Sequence, residues 1–104
     1  IIAAKKMLLG FTRPDAVIAC SDNAATGAIK QLSTLGISVP GDVSVIGFGD
    51  SEAAEMFTPS LTTISLPLFD MGYNAMDLLI RRLNGRQTRK NLILPHSLII
   101  RQSA

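Results

Sequence analysis

The stretch VSVIGFGD, Val43 to Asp50, decides how the rest of the chain is read. Val43, Val45, Ile46 and Phe48 make an almost continuous apolar run, as expected of a parallel strand covered by helices on both faces. Gly47 and Gly49 follow at its carboxyl end. A glycine pair there permits a tight turn and lets another group approach the backbone closely. In open α/β sheets that edge is where ligands sit, so the expected function is binding, organised around it.

Toward the amino terminus, Pro40, Gly41 and Asp42 mark the loop that enters this strand. Before the loop, Ala25, Ala28, Ile29, Leu32 and Leu35 recur at three- and four-residue spacing, which predicts a helix with one buried face, ending at Gly36. Ser21 and Asp22 are both candidate caps, and Asp22 is assigned that role. Ala16 to Cys20 is apolar throughout and reads as a strand introduced by Pro14 and Asp15. Residues 15–48 therefore spell strand, helix, strand at the length of a right-handed βαβ unit. Further upstream, Ile1 to Leu9 reads as a helix stopped at Gly10.

Toward the carboxyl terminus, a short helical turn runs to Phe57 and is broken by Pro59. Leu61 to Leu66, with Thr62, Thr63 and Ile64, reads as a third strand. Pro67 opens the longest helix, Leu68 to Asn84, with Asp70 in its first turn, Arg81 and Arg82 in its last, and Gly85 closing it. Its stripe of Leu68, Gly72, Ala75, Met76, Leu79 and Leu83 is widened by Phe69 and Ile80 beyond what one small sheet covers. A second partner surface is implied. Leu92 to Leu94 and Leu98 to Arg101 read as two short strands separated by Pro95 and His96.

With 104 residues and 47% apolar composition, the chain has material for one modest domain with a core. A net charge of +2 says little about partners, and no apolar run approaches the ~18 residues of a membrane span. The lone Cys20 excludes an internal disulfide, fits a reducing compartment, and reads as a buried small apolar residue. The chain opens at Ile1 inside helical sequence, without an initiating Met, and is expected to be cut from something longer.

Five stretches in this order resemble one family: PDAVIACSDNAATGAIKQL from Pro14, GISVPGDVSVIGFGDSE from Gly36, PSLTTISLPLFDMG from Pro59, LLIRRLNG from Leu78 and LPHSLIIRQS from Leu94. They are similar to the C-terminal third of the lactose/galactose repressors, bacterial transcription regulators. The resemblance implies an α/β fold, a fragment of the three-layer α/β/α parallel sheet of type I periplasmic binding proteins, mainly the C-terminal lobe. It places residues 1–66 and 96–104 in that lobe and residues 67–95 in the N-terminal lobe. The helix-turn-helix DNA-binding domain of the family falls outside this chain.

The same resemblance implies a carbohydrate-like effector held between the lobes. Ser21 stands where an Asn usually precedes the Asp, Gly49 where GFDD or GYDD has its first Asp, and Leu66 where a Gln often follows the third strand. With Asp22, Asp50 and Leu68 they form the expected ligand-binding set. Gly and Leu offer no polar side chain to a sugar hydroxyl. Losing a carboxylate at Gly49 exposes backbone N–H groups beside the helical turn that begins near Ser51, which favours an acidic effector, a sugar acid or sugar phosphate. Family dimers pack through the helix after the Asn-Asp pair and the turn after the central strand. Here these carry Thr26 and Lys30, and Ala53, Met56 and Phe57.

Other readings are weaker. GFGDSE has Glu52 in place of the third glycine of a dinucleotide fingerprint, and no long helix follows. The run Arg81, Arg82, Arg86, Arg89 and Lys90 lacks interleaved aromatics and reads as a solvated helix end. His96 has no second histidine for a metal site, and Ser21 lies in no nucleophile elbow. The chain is thus read as the effector-sensing and dimerising part of a cytoplasmic, sugar-responsive repressor, not an enzyme, without metal, cofactor or membrane partner. It touches DNA only through the other domain. The alternative is a periplasmic-type sugar-binding protein. An effector would act by shifting the population between two quaternary states.

Overall fold

The structure is a computed structural model that describes residues 13–87 and 91–104. The helix read at Ile1 to Leu9, and Arg89 and Lys90 of the basic run, lie outside the described residues. Seven elements follow one another: β1 (Ala16–Ile18), α1 (Asp22–Thr34), β2 (Ser44–Ile46), α2 (Glu52–Met56), β3 (Thr63–Ser65), α3 (Leu68–Leu83) and β4 (Ser97–Ile99). The chain divides into two compact units, Ile1–Ser65 with Leu98–Ala104, and Leu66–Ser97.

In the larger unit, β1, α1 and β2 form the expected βαβ unit, with β1 and β2 parallel in the register Ala16↔Ser44, Val17↔Val45, Ile18↔Ile46. The other side of β2 faces the β3 run through parallel bridges Ile46↔Thr62 and Gly49↔Ser65. Gly47 N–H donates to Thr62 O and Gly49 N–H to Ile64 O, both at 2.8 Å. β3 in turn pairs with β4. The parallel pairings of β2 with β1 and with the β3 run, and the crossover helix α1, are the expected α/β architecture.

α1 starts and stops as its residues dictate. Ser21 Oγ accepts from Ala24 N–H at 3.2 Å, so the serine is the cap. At the other end Gly36 takes φ +72°, with Gly36 N–H on Ser33 O and Ile37 N–H on Leu32 O, both at 3.0 Å. That pair of bonds is a Schellman closure, which only a residue tolerant of the left-handed region makes cheaply. Ala25, Ile29 and Leu32 point inward and join Val43, Val45, Ala54 and Leu61 in one core, with Val17, Ala19, Ile37, Val39 and Phe57 packed against it.

Three sequence expectations change here. The central strand is not covered evenly: Val43, Val45 and Gly47 are buried, Ser44 and Ile46 are half-buried, and Phe48 is 39% exposed. The core packs on one face, and the described residues cover the other only in part. Leu92 to Leu94 forms no strand, since among the described residues no neighbouring strand pairs with it. Cys20 is exposed beyond the end of β1 rather than buried.

The smaller unit is mostly α3. Its last turn carries Arg81 and Arg82, and Arg81 pairs with Asp77 at 2.8 Å. Gly85, at φ +72°, closes it with the same pair of bonds as α1. No residue of α3 is buried. Among the described residues no helix is long and apolar enough to cross a membrane.

Candidate functional site

The carboxyl ends of β1 and β2 bring Ser21, Asp22, Gly49 and Asp50 together. Asp22 N–H donates to Phe48 O at 3.2 Å, which draws the start of α1 against the end of β2. The Asp22 side chain does not cap its own helix as expected, because Ser21 already does. Asp22, only 3% exposed, turns inward. Its Oδ2 accepts from Ser51 N–H at 2.6 Å and its Oδ1 from the Thr63 hydroxyl at 2.5 Å. One carboxylate thereby joins the start of α1, the start of α2 and β3.

Gly47 makes room for this arrangement. A Cβ there would collide with Asp22 Oδ1 and lie 2.7 Å from Leu61 Cδ2. The close approach anticipated at the glycine pair is thus real, and at Gly47 the approaching group is a side chain of the same chain. Burial raises the Asp22 carboxyl's pKa, but the hydrogen bonds from Thr63 and Ser51 outweigh it and hold the group below its ordinary 3.8. Asp22 is therefore an anion at neutral pH.

Asp50 is also committed. It sits at φ +55°, a left-handed conformation that Asp tolerates better than most residues, and its carboxylate pairs with the Arg101 guanidinium at 2.9 Å. Arg101 further donates to Leu61 O at 3.0 Å through its side chain and to Thr62 Oγ1 at 2.8 Å through its backbone. Both partners of the pair are mostly covered, 17% and 23% exposed at the side chain, so this ion pair is held by more than surface charge.

The free N–H groups expected beside Gly49 are not free. Gly49 N–H goes to Ile64 O, Asp50 N–H reaches Thr63 Oγ1 at 3.4 Å, and Ser51 N–H is held by Asp22. The amino end of α2 already holds a carboxylate. Gly49 itself takes φ +126°, so an Asp placed there would strain the backbone whatever space it found. Leu66 and Leu68 stand in the smaller unit, the first half-buried and the second exposed.

Of the residues expected at a dimer face, Thr26 is half-buried and donates its hydroxyl to Asn23 O at 3.1 Å, while Lys30 and Ala53 are exposed. Met56 is 84% exposed. Phe57 instead packs partly against the core. Thr63, Arg101 and Ser103 escaped the sequence reading. Thr63 looked like an ordinary β-branched strand residue, and nothing local tells that residues 101–103 return to β2 and β3.

The sequence matches the periplasmic binding protein-like domain family over residues 2–104. It is 43% identical over 101 residues to the lactose operon repressor of Rhizobium radiobacter, covering 97% of this chain and 89% of that protein. The lac repressor dimer bound to operator and the anti-inducer ONPF superposes with a TM-score of 0.85 at 30% identity, over 98% of this chain and 36% of that one. The complex of the transcriptional regulator CelR with cellobiose gives 0.77 at 37% identity, over 86% of this chain and 28% of that one. Other curated transcriptional regulators and repressors are matched over 26% to 31% of their own length. The ordered motifs, the parallel βαβ core and these matches lead to one conclusion: the chain belongs to the periplasmic binding protein-like family, among the lactose/galactose-type repressors.

Proposed function

We propose that this chain is the effector-sensing and dimerising portion of a sugar-responsive transcriptional repressor. The carbohydrate-like effector binds at the carboxyl ends of β1 and β2, beside Ser21 and Gly49. The observation that supports this best is the gathering of Ser21, Asp22, Gly49 and Asp50 at one strand edge, in a chain whose relatives are repressors. Ser21 keeps its hydroxyl proton for a ligand while its lone pair caps α1. Asp22 and Asp50 shape the edge from behind, through Ser51, Thr63 and Arg101. Thr26, Lys30, Ala53 and Met56 form part of the face toward a second subunit. DNA contact belongs to another domain of the whole protein, and the assignment of residues 1–66 with 96–104 to one lobe and 67–95 to the other is part of the same reading.

Calorimetric titration of the full-length protein against neutral sugars, sugar acids and sugar phosphates tests it. A neutral mono- or disaccharide should bind at one site per protomer and change operator affinity. Gly49 removes a carboxylate from this edge and so lowers the penalty for an anion, which keeps an acidic effector as the second reading. Against it stand the committed N–H groups of Gly49, Asp50 and Ser51. Tighter binding of the acids or phosphates reverses the order of the two. A sugar that binds without any effect on operator affinity points to a binding protein instead of a repressor.

A further inference from the structure

We propose that Asp22 is a positioning residue that locks α2 to α1 and β3, and thereby fixes how Ala53 and Met56 are presented to a second subunit. The coupling to a second subunit rests on the function proposed above. The locking itself rests on geometry alone.

α2 has five residues, far too few to hold together by its own hydrogen bonds. Its cap residue, Ser51, makes no side-chain capping bond. The cap is supplied instead from 29 residues away, by Asp22 Oδ2 on Ser51 N–H. A carboxylate at a helix's amino end also meets the positive end of the peptide dipoles. The other oxygen is tied to the Thr63 hydroxyl, so the group cannot turn aside. Ser21 performs the ordinary capping of α1, which leaves Asp22 available for the long-range bond. Gly47 supplies the space.

The consequence follows from which elements are joined. α1 carries Asp22 along with Thr26 and Lys30, and α2 carries Ala53 and Met56. The carboxylate sits between Ser21 and Gly49, at the edge where the effector is proposed to bind. A displacement there is felt at α2 through one fixed anion, and by linkage a second subunit that holds α2 acts back on the edge with the same free energy.

The test uses the full-length protein and the variants Asp22→Asn, Thr63→Val and Thr63→Ser. Amide hydrogen exchange reads α2 locally, and sedimentation reads dimer dissociation. In Asp22→Asn the amides of Ser51, Ala54 and Phe57 should exchange at least tenfold faster, while those of Ile29 and Leu32 stay protected. The dimer should dissociate at least tenfold more readily. Thr63→Val should move the same way by a smaller factor, and Thr63→Ser, which keeps the hydroxyl, should restore the wild-type values. Equal loss of protection across α1 and α2 means a general structural role and overturns the proposal, as does an unchanged α2. If the wild type is monomeric across the micromolar range, the coupling to a second subunit falls together with the dimer reading. The exchange comparison then still decides whether Asp22 locks α2.

Discussion

The larger unit and the segment Leu66–Ser97 are both rich in apolar residues, yet they use them differently. In the larger unit Ala25, Ile29, Leu32, Val43, Val45, Ala54 and Leu61 close on one another. In the smaller one α3 has an equally clear stripe and buries none of it: Phe69 and Leu83 are about as open as in an extended chain. Helical periodicity tells which face wants cover; it does not tell whether the cover lies in the same chain. A long-range polar link marks the difference, since the larger unit is stitched across 29 to 58 residues by Asp22, Arg101 and Ser103.

The comparison breaks most readily at Leu61, which is fully buried beneath Gly47. Leu61→Ala should cost about 4 kcal/mol in denaturant unfolding. Gly47→Ala comes next at about 3 kcal/mol, because its new methyl meets Asp22 and Leu61 at once. A variant that unfolds at the wild-type midpoint would show that Asp22 can move aside.

Asp22→Asn should cost about 2 kcal/mol at neutral pH, since the amide keeps one acceptor oxygen for two donors, Ser51 N–H and the Thr63 hydroxyl, and brings no charge to the amino end of α2. It also has a pH signature. The folded carboxyl titrates below its unfolded value of 3.8, so its stabilisation is complete above that value and disappears as the pH falls through the lower folded value. The acid limb of stability, followed by circular dichroism below pH 4, should be flatter in Asp22→Asn than in the wild type. The smallest effect belongs to α3: Leu79→Ala, at a half-exposed position, should change the stability of this chain by less than about 0.5 kcal/mol. In the full-length protein the same change should cost about 2 kcal/mol if another part of the protein covers that face.

Most of the element order was legible from local patterns. The spacing of Ala25, Ile29 and Leu32, and the glycines at positions 36 and 85, gave α1 and α3 to within a residue or two. The strands came out shorter than their apolar runs, since a strand lasts only where a neighbour accepts its bonds. Leu92 to Leu94 shows this in the extreme. At the candidate site, the gathering of Ser21, Asp22, Gly49 and Asp50 at one strand edge was legible, and the bonds each of them makes were not. Ser21 and Asp22 both fit a helix cap, and which one takes that role depends on Ser51 and Thr63, far away in the sequence. The same holds for Asp50, whose partner Arg101 no spacing rule connects to it.

Ser103 bears on how the chain comes to be folded at all. Its hydroxyl donates to Val45 O at 2.6 Å and accepts from Thr62 N–H at 2.8 Å, and its carbonyl accepts from Val45 N–H at 2.8 Å. Val45 and Thr62 therefore wait for a residue made 58 positions after the first of them. At translation rates of roughly 5–20 residues per second, that delay is about 3–12 s. For that interval a nascent chain holds the βαβ half complete with its neighbouring strand unsealed, a window in which a chaperone or a second nascent chain competes for the same edge.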